Sequence, residues 1–282
     1  MTTPAEVAAA GQLACLLEVS AAKPGNVSPG LHFHDTRYED FLASAVAIGP
    51  ALSGAGQNPL GTTIRTAVED TRRWTKSNTN LGIVLLLAPL ARAALRSGGT
   101  LRERLGQTLT ETTVGDAAQV YAAIRHVRPG GLGEAAAEDV FESPTVTLRQ
   151  AMALAAERDA IAREYVTSFA LTFEVGVPAI RAARRDRLAW TDAAIDAYLR
   201  LLDSTADTHI ARKLGQTEAE AVSRRAREVL GAGGIRSTEG RQALAELDAE
   251  LRDSHNRRNP GTTADLTCAA LFVVILEGGW DR

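Results

Sequence analysis

The sequence predicts an all-α fold: a single-domain multi-helix bundle with buried central apolar helices. Apolar residues recur at three- and four-residue spacing along most of the 282-residue chain, the period of a helix face. Alanine, leucine, arginine and glutamate, all good helix formers, are abundant. Strand signals are nearly absent. The best candidate, Val140–Val146, is short and interrupted by Pro144, so it cannot anchor a sheet. No repeat or low-complexity linker divides the chain, and apolar helices lie at both ends. Residues 1–282 therefore read as one domain.

In chain order the spacing predicts helices over Glu6–Ala21, Tyr38–Ile48, Thr62–Lys76, Asn80–Leu95, Leu101–Glu111, Val114–His126 and Thr147–Arg158. They continue with Asp159–Glu174, Val177–Arg184, Asp192–Asp203, Thr208–Lys213, Thr217–Leu230, Glu239–Ser254 and Thr263–Glu277. Gly49–Gly61, Pro129–Gly133 and Gly231–Gly240 read as glycine-rich loops. None has the spacing of a Walker loop, and none follows a strand as a dinucleotide fingerprint requires. The runs Leu81–Leu95 and Leu266–Leu276 are shorter than a membrane span, and the first carries Pro89 and Arg92. They read as buried core helices.

Apolar residues make up 45% and charged residues 23% of the chain, with a net charge of −3. This composition is that of a soluble globular protein and favours neither nucleic acid nor membrane as a partner. Met1–Ala10 has no basic stretch and carries Glu6, so the expected location is cytoplasmic. Cys15 and Cys268 sit in apolar stretches and read as buried thiols of a reducing compartment. The abundance of Ala and Leu leaves room for an apolar face, so a homodimer is an expectation.

Arginine outnumbers lysine 28 to 3, and there are six asparagines. All three lysines, and every asparagine except Asn58, fall in or beside four short polar segments. The first, Lys23-Pro24-Gly25-Asn26, follows a helix. Pro24 stops that helix and Gly25 permits a turn exposing N–H groups. Lys23 is either a phosphate-binding charge or the complement of a helix C-terminus. His32, His34 and Asp35 follow without metal spacing, and Asp35 is placed to cap the next helix. In the second segment, Lys76-Ser77-Asn78-Thr79-Asn80, Asn78 or Asn80 caps a very apolar helix whose N-terminus offers an anion site.

The third segment runs from Asp203 to Lys213. Asp203 and Asp207 are four residues apart; on one continuous helix they would face the same way and need a compensating cation, such as the Mg²⁺ carried by a nucleotide triphosphate. Alternatively Arg200 screens Asp203 while Asp207 caps the helix at Thr208. His209 lies between an acid and the bases Arg212 and Lys213, as a proton carrier or a surface histidine. The fourth segment, Arg257-Arg258-Asn259-Pro260-Gly261-Thr262-Thr263-Ala264-Asp265, combines a Pro-Gly turn, two hydroxyls, two arginines and a helix start. Thr262 at the N-cap with Asp265 three residues on is close to a capping box. Two weaker features are Arg128–Gly133, which reads as a surface loop, and the run Arg181, Arg184, Arg185 and Arg187, which reads as a solvated helix end.

Lys23–Gly25, Asn78–Thr79, Asp207–Thr208 and Pro260–Leu266, in this order and spacing, resemble the triphosphoribosyl-dephospho-CoA synthase family. The resemblance implies an all-α fold and use of ATP with Mg²⁺. It implies transfer of a triphosphoribosyl group to 3′-dephospho-CoA with release of adenine. It also implies that Lys23, Asn78, Thr79, Asp207, Thr208 and Asp265 line the nucleotide site. Asn80-Leu81-Gly82 stands where the lyase-associated members have His-Lys-Gly, and Gly261-Thr262-Thr263 where they have Gly-Gly-Ser. Those features look like a branch from organisms with tetrahydromethanopterin-type cofactors. A ribosyl-type transferase of one-carbon cofactor synthesis, a ribosyl-bond hydrolase and a non-catalytic scaffold are the other readings.

Breaking the ribose–adenine bond builds positive charge at the anomeric carbon. The expected binding residues are Lys23, Gly25, Asn26, Asn78, Thr79, Asn80, Thr208, Arg212, Lys213, Asn259, Gly261, Thr262 and Thr263. Asp207, Asp265 and His209 are the expected catalytic groups, and Asp203, Asp207 and Asp265 the expected metal ligands.

Overall fold

The structure is a computed structural model and describes residues 2–127, 138–253 and 255–280. Arg128–Gly133 lies outside the described residues. The described chain is helical, with fifteen α-helices and no strand; Ser28 and Leu31 form an isolated bridge. Val140–Val146 is irregular. No helix among the described residues is long and apolar enough to cross a membrane.

Backbone packing divides the chain into two compact units, one of residues 1–13 with 40–170 and one of residues 14–39 with 171–282. The helix α1 (Pro4–Ser20) contributes to both. The first unit continues with α2 (Tyr38–Ala47), α3 (Gly49–Ser53), α4 (Leu60–Arg72), α5 (Leu81–Ala94), α6 (Leu101–Thr110), α7 (Val114–Val127), α8 (Leu148–Ala155) and α9 (Ala160–Thr167). The second unit holds α10 (Val177–Arg185), α11 (Trp190–Ser204), α12 (Thr208–Leu214), α13 (Gln216–Gly231), α14 (Thr238–Leu251) and α15 (Gly261–Leu276).

Each unit is organised around one helix that is apolar on every side, as expected for helices at the centre of a core. In the first unit this is α5, buried from Ile83 to Ala91 and packed against α4, α6 and α9. Pro89 lies inside it. A proline has no N–H, so the carbonyl four residues back loses its helical partner. That carbonyl belongs to Leu85, and the hydroxyl of fully buried Tyr165 on α9 donates to it at 2.6 Å. The break in the ladder is thus repaired by a side chain of another helix. In the second unit α15 is buried from Leu266 to Val274 and packs on α10, α11 and α12. Cys15 and Cys268 are buried free thiols of this unit, with sulfurs 3.7 Å apart.

Two expectations need correction. The helix predicted over Asp159–Glu174 ends at Thr167, because Ser168 and Phe169 both adopt left-handed backbone at φ 52° and 60°. The N–H of Phe169 turns back onto the Glu164 carbonyl at 2.9 Å, and its ring is fully buried. A π-helical turn, Thr172–Gly176, then leads into α10. The predicted loop Gly49–Gly61 also contains a helix, α3, with Pro50 in its first turn, where a missing N–H is harmless.

Removal of the Tyr165 hydroxyl leaves the buried Leu85 carbonyl without that donor. Tyr165→Phe is expected to lower stability by roughly 1–3 kcal/mol, measured by urea unfolding. A variant within a few tenths of wild type would refute the repair.

Candidate functional site

Asp207, Thr208, Thr262 and Thr263, all expected site residues, gather where α12 and α15 begin. Asp207 is the N-cap of α12, and its Oδ1 accepts the N–H groups of His209 at 2.9 Å and Ile210 at 3.1 Å. Its Oδ2 accepts the N–H and the hydroxyl of Thr263, on the first turn of α15, each at 2.7 Å. One carboxylate therefore serves the first-turn amides of two helices, whose positive dipole ends both point at it. The group is buried, which pushes its pKa above the ordinary aspartate value, while the four donors oppose that rise. Thr208 and Thr262 close the junction with their hydroxyls 3.1 Å apart.

This geometry alters three expectations. Both oxygens of Asp207 are engaged twice, so it is a bracing residue rather than an open metal ligand or base. Helix α15 starts at Gly261 without a side-chain cap, so Thr262 is not its N-cap. The amide of Thr263 already has Asp207 as its anion.

Outside the junction, α12 presents His209, Arg212 and Lys213. The His209 ring packs over Gly261: a Cβ there would lie 3.4 Å from Cγ of the imidazole and 3.3 Å from Nδ2 of Asn259. Nη2 of Arg212 sits 3.5 Å from Nδ1 of His209. A guanidinium has only donors, so Nδ1 is the accepting nitrogen and the proton of the neutral ring is on Nε2. Burial first, then the charges of Lys213 and Arg212, push the His209 pKa down to about 3, with a hydrogen bond to Asn259 opposing. Partial burial and the neighbouring Arg212 also lower the Lys213 pKa. Nζ of Lys213 reaches Oδ1 of Asn259 at 3.4 Å. Asp265 is half-buried in α15, one turn in from its start at Gly261. Beside this group, Leu214, Glu218, Asp253, Arg257 and Arg258 line an open cavity of about 370 Å³.

The Lys-Pro-Gly-Asn segment takes the structural course rather than the phosphate-binding one. Lys23 is 1% exposed and Nζ lies 2.9 Å from the Glu18 carboxylate. Its remaining donors go to the carbonyls of Glu18 and Ala21 at the end of α1. An ammonium has three donors, and all three are used. Gly25 needs its residue type twice over. Its φ is +72°, and a Cβ would lie 2.8 Å from Cβ of Leu251. Its N–H goes to Asp248, Asn26 donates to the hydroxyl of buried Tyr198, and Arg252 donates to the Asn26 carbonyl. His32 accepts the first amide of α2, that of Tyr38, at 3.1 Å.

Asp203 pairs with Arg227 at 2.7 Å. Among the described residues no three His, Cys, Asp or Glu side chains form a metal-binding group, so Asp203, Asp207 and Asp265 are not a carboxylate triad. Asn78, Thr79 and Asn80 belong to the first unit. There Oδ1 of Asn78 accepts the Leu81 N–H at 3.2 Å, Thr79 meets Ser44 at 2.5 Å, and Asn80 donates to Thr71 at 2.9 Å. Arg184 lies over the Trp190 ring, which stacks on Trp280. Sequence reasoning missed Glu18, Tyr198 and the pair Asp248–Arg252. Only the last carries a local signal, a carboxylate and a guanidinium four residues apart on one helix.

A model of the family described as ATP:dephospho-CoA triphosphoribosyl transferase matches residues 4–282. The chain belongs to this family. A Klebsiella pneumoniae protein named 2-(5′′-triphosphoribosyl)-3′-dephosphocoenzyme-A synthase is 34% identical over 104 residues, 37% of this chain and 36% of that protein. A Pseudomonas fluorescens protein named for the same synthase is 32% identical over 111 residues, 39% of this chain and 38% of its own length. The alignments thus span under two-fifths of these curated relatives. A crystal structure from Archaeoglobus fulgidus carrying the name triphosphoribosyl-dephospho-CoA synthase superposes with a TM-score of 0.66 at 28% identity, covering 84% of this chain and 99% of that one. The all-α architecture is therefore that of the triphosphoribosyl transferase family.

Two measurements test the junction. Asp207→Asn turns an amide toward two donors in either orientation and should cost roughly 2–4 kcal/mol. Asp203→Asn, which removes a surface pair, should cost under about 1 kcal/mol; equal losses would contradict the assignment. The second concerns pH. A histidine whose folded pKa is depressed stabilises the protein fully above the unfolded value of 6.5, and that contribution is lost as pH falls toward 3. Between pH 6.5 and 4 wild type should lose up to about 1.4 kcal/mol per pH unit more than His209→Gln. Parallel stability profiles would show that His209 accepts a proton freely.

Proposed function

We propose that this chain transfers the 5-triphosphoribosyl group of ATP to a hydroxyl of 3′-dephospho-CoA and releases adenine. The family match running from residue 4 to residue 282 supports this. The observation on this chain that carries it is the basic pair Arg212 and Lys213 on α12, the helix whose start Asp207 ties to the first turn of α15. Three neighbouring groups, Asp207, His209 and Lys213, are shifted toward their neutral forms. Such clustering of perturbed groups is characteristic of functional sites. A polyphosphate beside Lys213 favours its charged form.

In this reading the bond between the ribose anomeric carbon and adenine breaks, and its electron pair leaves with the base. The acceptor hydroxyl oxygen forms the new bond, and its proton ends on the departing adenine. Asp265 stabilises the positive charge that develops on the ribose. His209, neutral with its proton on Nε2, donates a hydrogen bond and can relay a proton. Asp207 keeps the starts of α12 and α15 in register. Mg²⁺ typically uses one or two carboxylates plus phosphate oxygens. Asp265 would hold such an ion, which when bound would neutralise part of the polyphosphate charge. The family match runs through both units, and we propose that they act as one catalytic domain. The buried thiols suit a cytoplasmic setting.

The test is chromatography of adenine from ATP with and without dephospho-CoA, with mass spectrometry of the product. Acceptor-dependent adenine and a product carrying the triphosphoribosyl group are expected. Adenine release without acceptor would make the protein a hydrolase instead. In the same assay Lys213→Ala should raise KM for ATP about tenfold with a smaller effect on kcat. Asp265→Asn should lower kcat by at least tenfold. Wild-type constants in both variants would reject the site.

A further inference from the structure

The loop between α4 and α5 is braced from within. The N–H groups of Trp74 and Thr75 both fall on the Thr71 carbonyl, at 2.9 and 3.2 Å. The hydroxyl of Thr75 accepts the Ser77 N–H at 3.2 Å. Asn80 reaches back to the Thr71 hydroxyl, Thr79 is tied to Ser44, and the Arg72 guanidinium holds the Lys76 carbonyl. Thr75, Thr79 and Asn80 are buried as a result, while Trp74, Lys76 and Asn78 alternate with them and are exposed.

The exposed set is chemically specific. Trp74 is 71% exposed, the most open of the large apolar side chains in the described residues. The other two tryptophans of the chain, Trp190 and Trp280, stack on each other with centroids 5.1 Å apart. A single exposed apolar residue is ordinary on a protein surface. What distinguishes this one is its setting: an indole face, an ammonium two residues on and a carboxamide four residues on, all on a loop that loses little freedom when something binds. Pre-organised display of this kind removes an entropic penalty from recognition. A planar base stacks on an indole sequence-tolerantly, an ammonium takes a phosphate, and a carboxamide takes a ring or sugar polar group.

We propose that Trp74 is the stacking platform for an adenine ring, with Lys76 on the attached phosphate. The inference rests on the functional reading above, in which both the donor ATP and the acceptor dephospho-CoA carry adenine.

Intrinsic tryptophan fluorescence separates the two sources. Wild type and the variants Trp74→Ala and Trp280→Phe are titrated separately with ATP, with dephospho-CoA, and with inorganic triphosphate, which has no base. The expected result is quenching by one of the two adenine compounds, absent in Trp74→Ala and retained in Trp280→Phe, with no quenching by triphosphate. KM for the quenching substrate should rise about tenfold in Trp74→Ala, and KM for the other should stay near wild type. The side chain is solvent-exposed, so circular dichroism of the variant should match wild type. An active wild type whose Trp74→Ala variant keeps its quenching and both KM values overturns the platform alone. Equal quenching by triphosphate, or a change in oligomeric state on sedimentation with unchanged KM values, overturns it too. A wild type that releases no adenine refutes the functional reading instead, and the titrations still report whether adenine meets Trp74.

Discussion

The second unit depends on a single carboxylate. Asp207 is the point at which two helices begin, and each of its oxygens accepts two donors. A helix start leaves its first amides without partners, which is expensive in a buried position. Bringing two such starts together would double that penalty and set two positive ends against each other. An anion between them removes both problems at once. The short helix α12 is then fixed in direction, and so are His209, Arg212 and Lys213 on it. The electrostatics of the site follow: a neutral imidazole and a depressed lysine beside an arginine, on the rim of an anion-braced junction.

The architecture was legible in the sequence because helical period and apolar run length are local properties. The two fully apolar helices could be named from residues 81–95 and 266–276 alone. The misjudged stretches are those where tertiary packing overrides local pattern. Ser168 and Phe169 carry no glycine to announce a left-handed turn, and the periodicity continues across them. What holds them there is burial of the Phe169 ring. Gly49–Ser53 has loop composition and is helical nonetheless.

The candidate site was legible in part. His209, Arg212, Lys213 and Asn259 were singled out from residue type and position, and they gather at one junction. Roles were harder to read than places. Whether an aspartate is a bracing group or a reactive one depends on how many donors reach its oxygens, and Thr263 is 56 residues from Asp207. Tyr198 on the Lys-Pro-Gly-Asn turn is invisible for the same reason: its hydroxyl acts 172 residues away, on Asn26.

The ion pair of Lys23 with Glu18 bears on how shared motifs in such chains evolve. Two opposite charges buried together leave neither partner a substitute, because losing one strands the other at a penalty of several kcal/mol. Replacement is tolerable only when both change together. A Lys-Pro-Gly signature in related chains should therefore co-vary with an acid five positions upstream, whatever small molecule each of them handles. Its persistence across a lineage would measure the difficulty of crossing that two-step barrier, not the identity of a substrate.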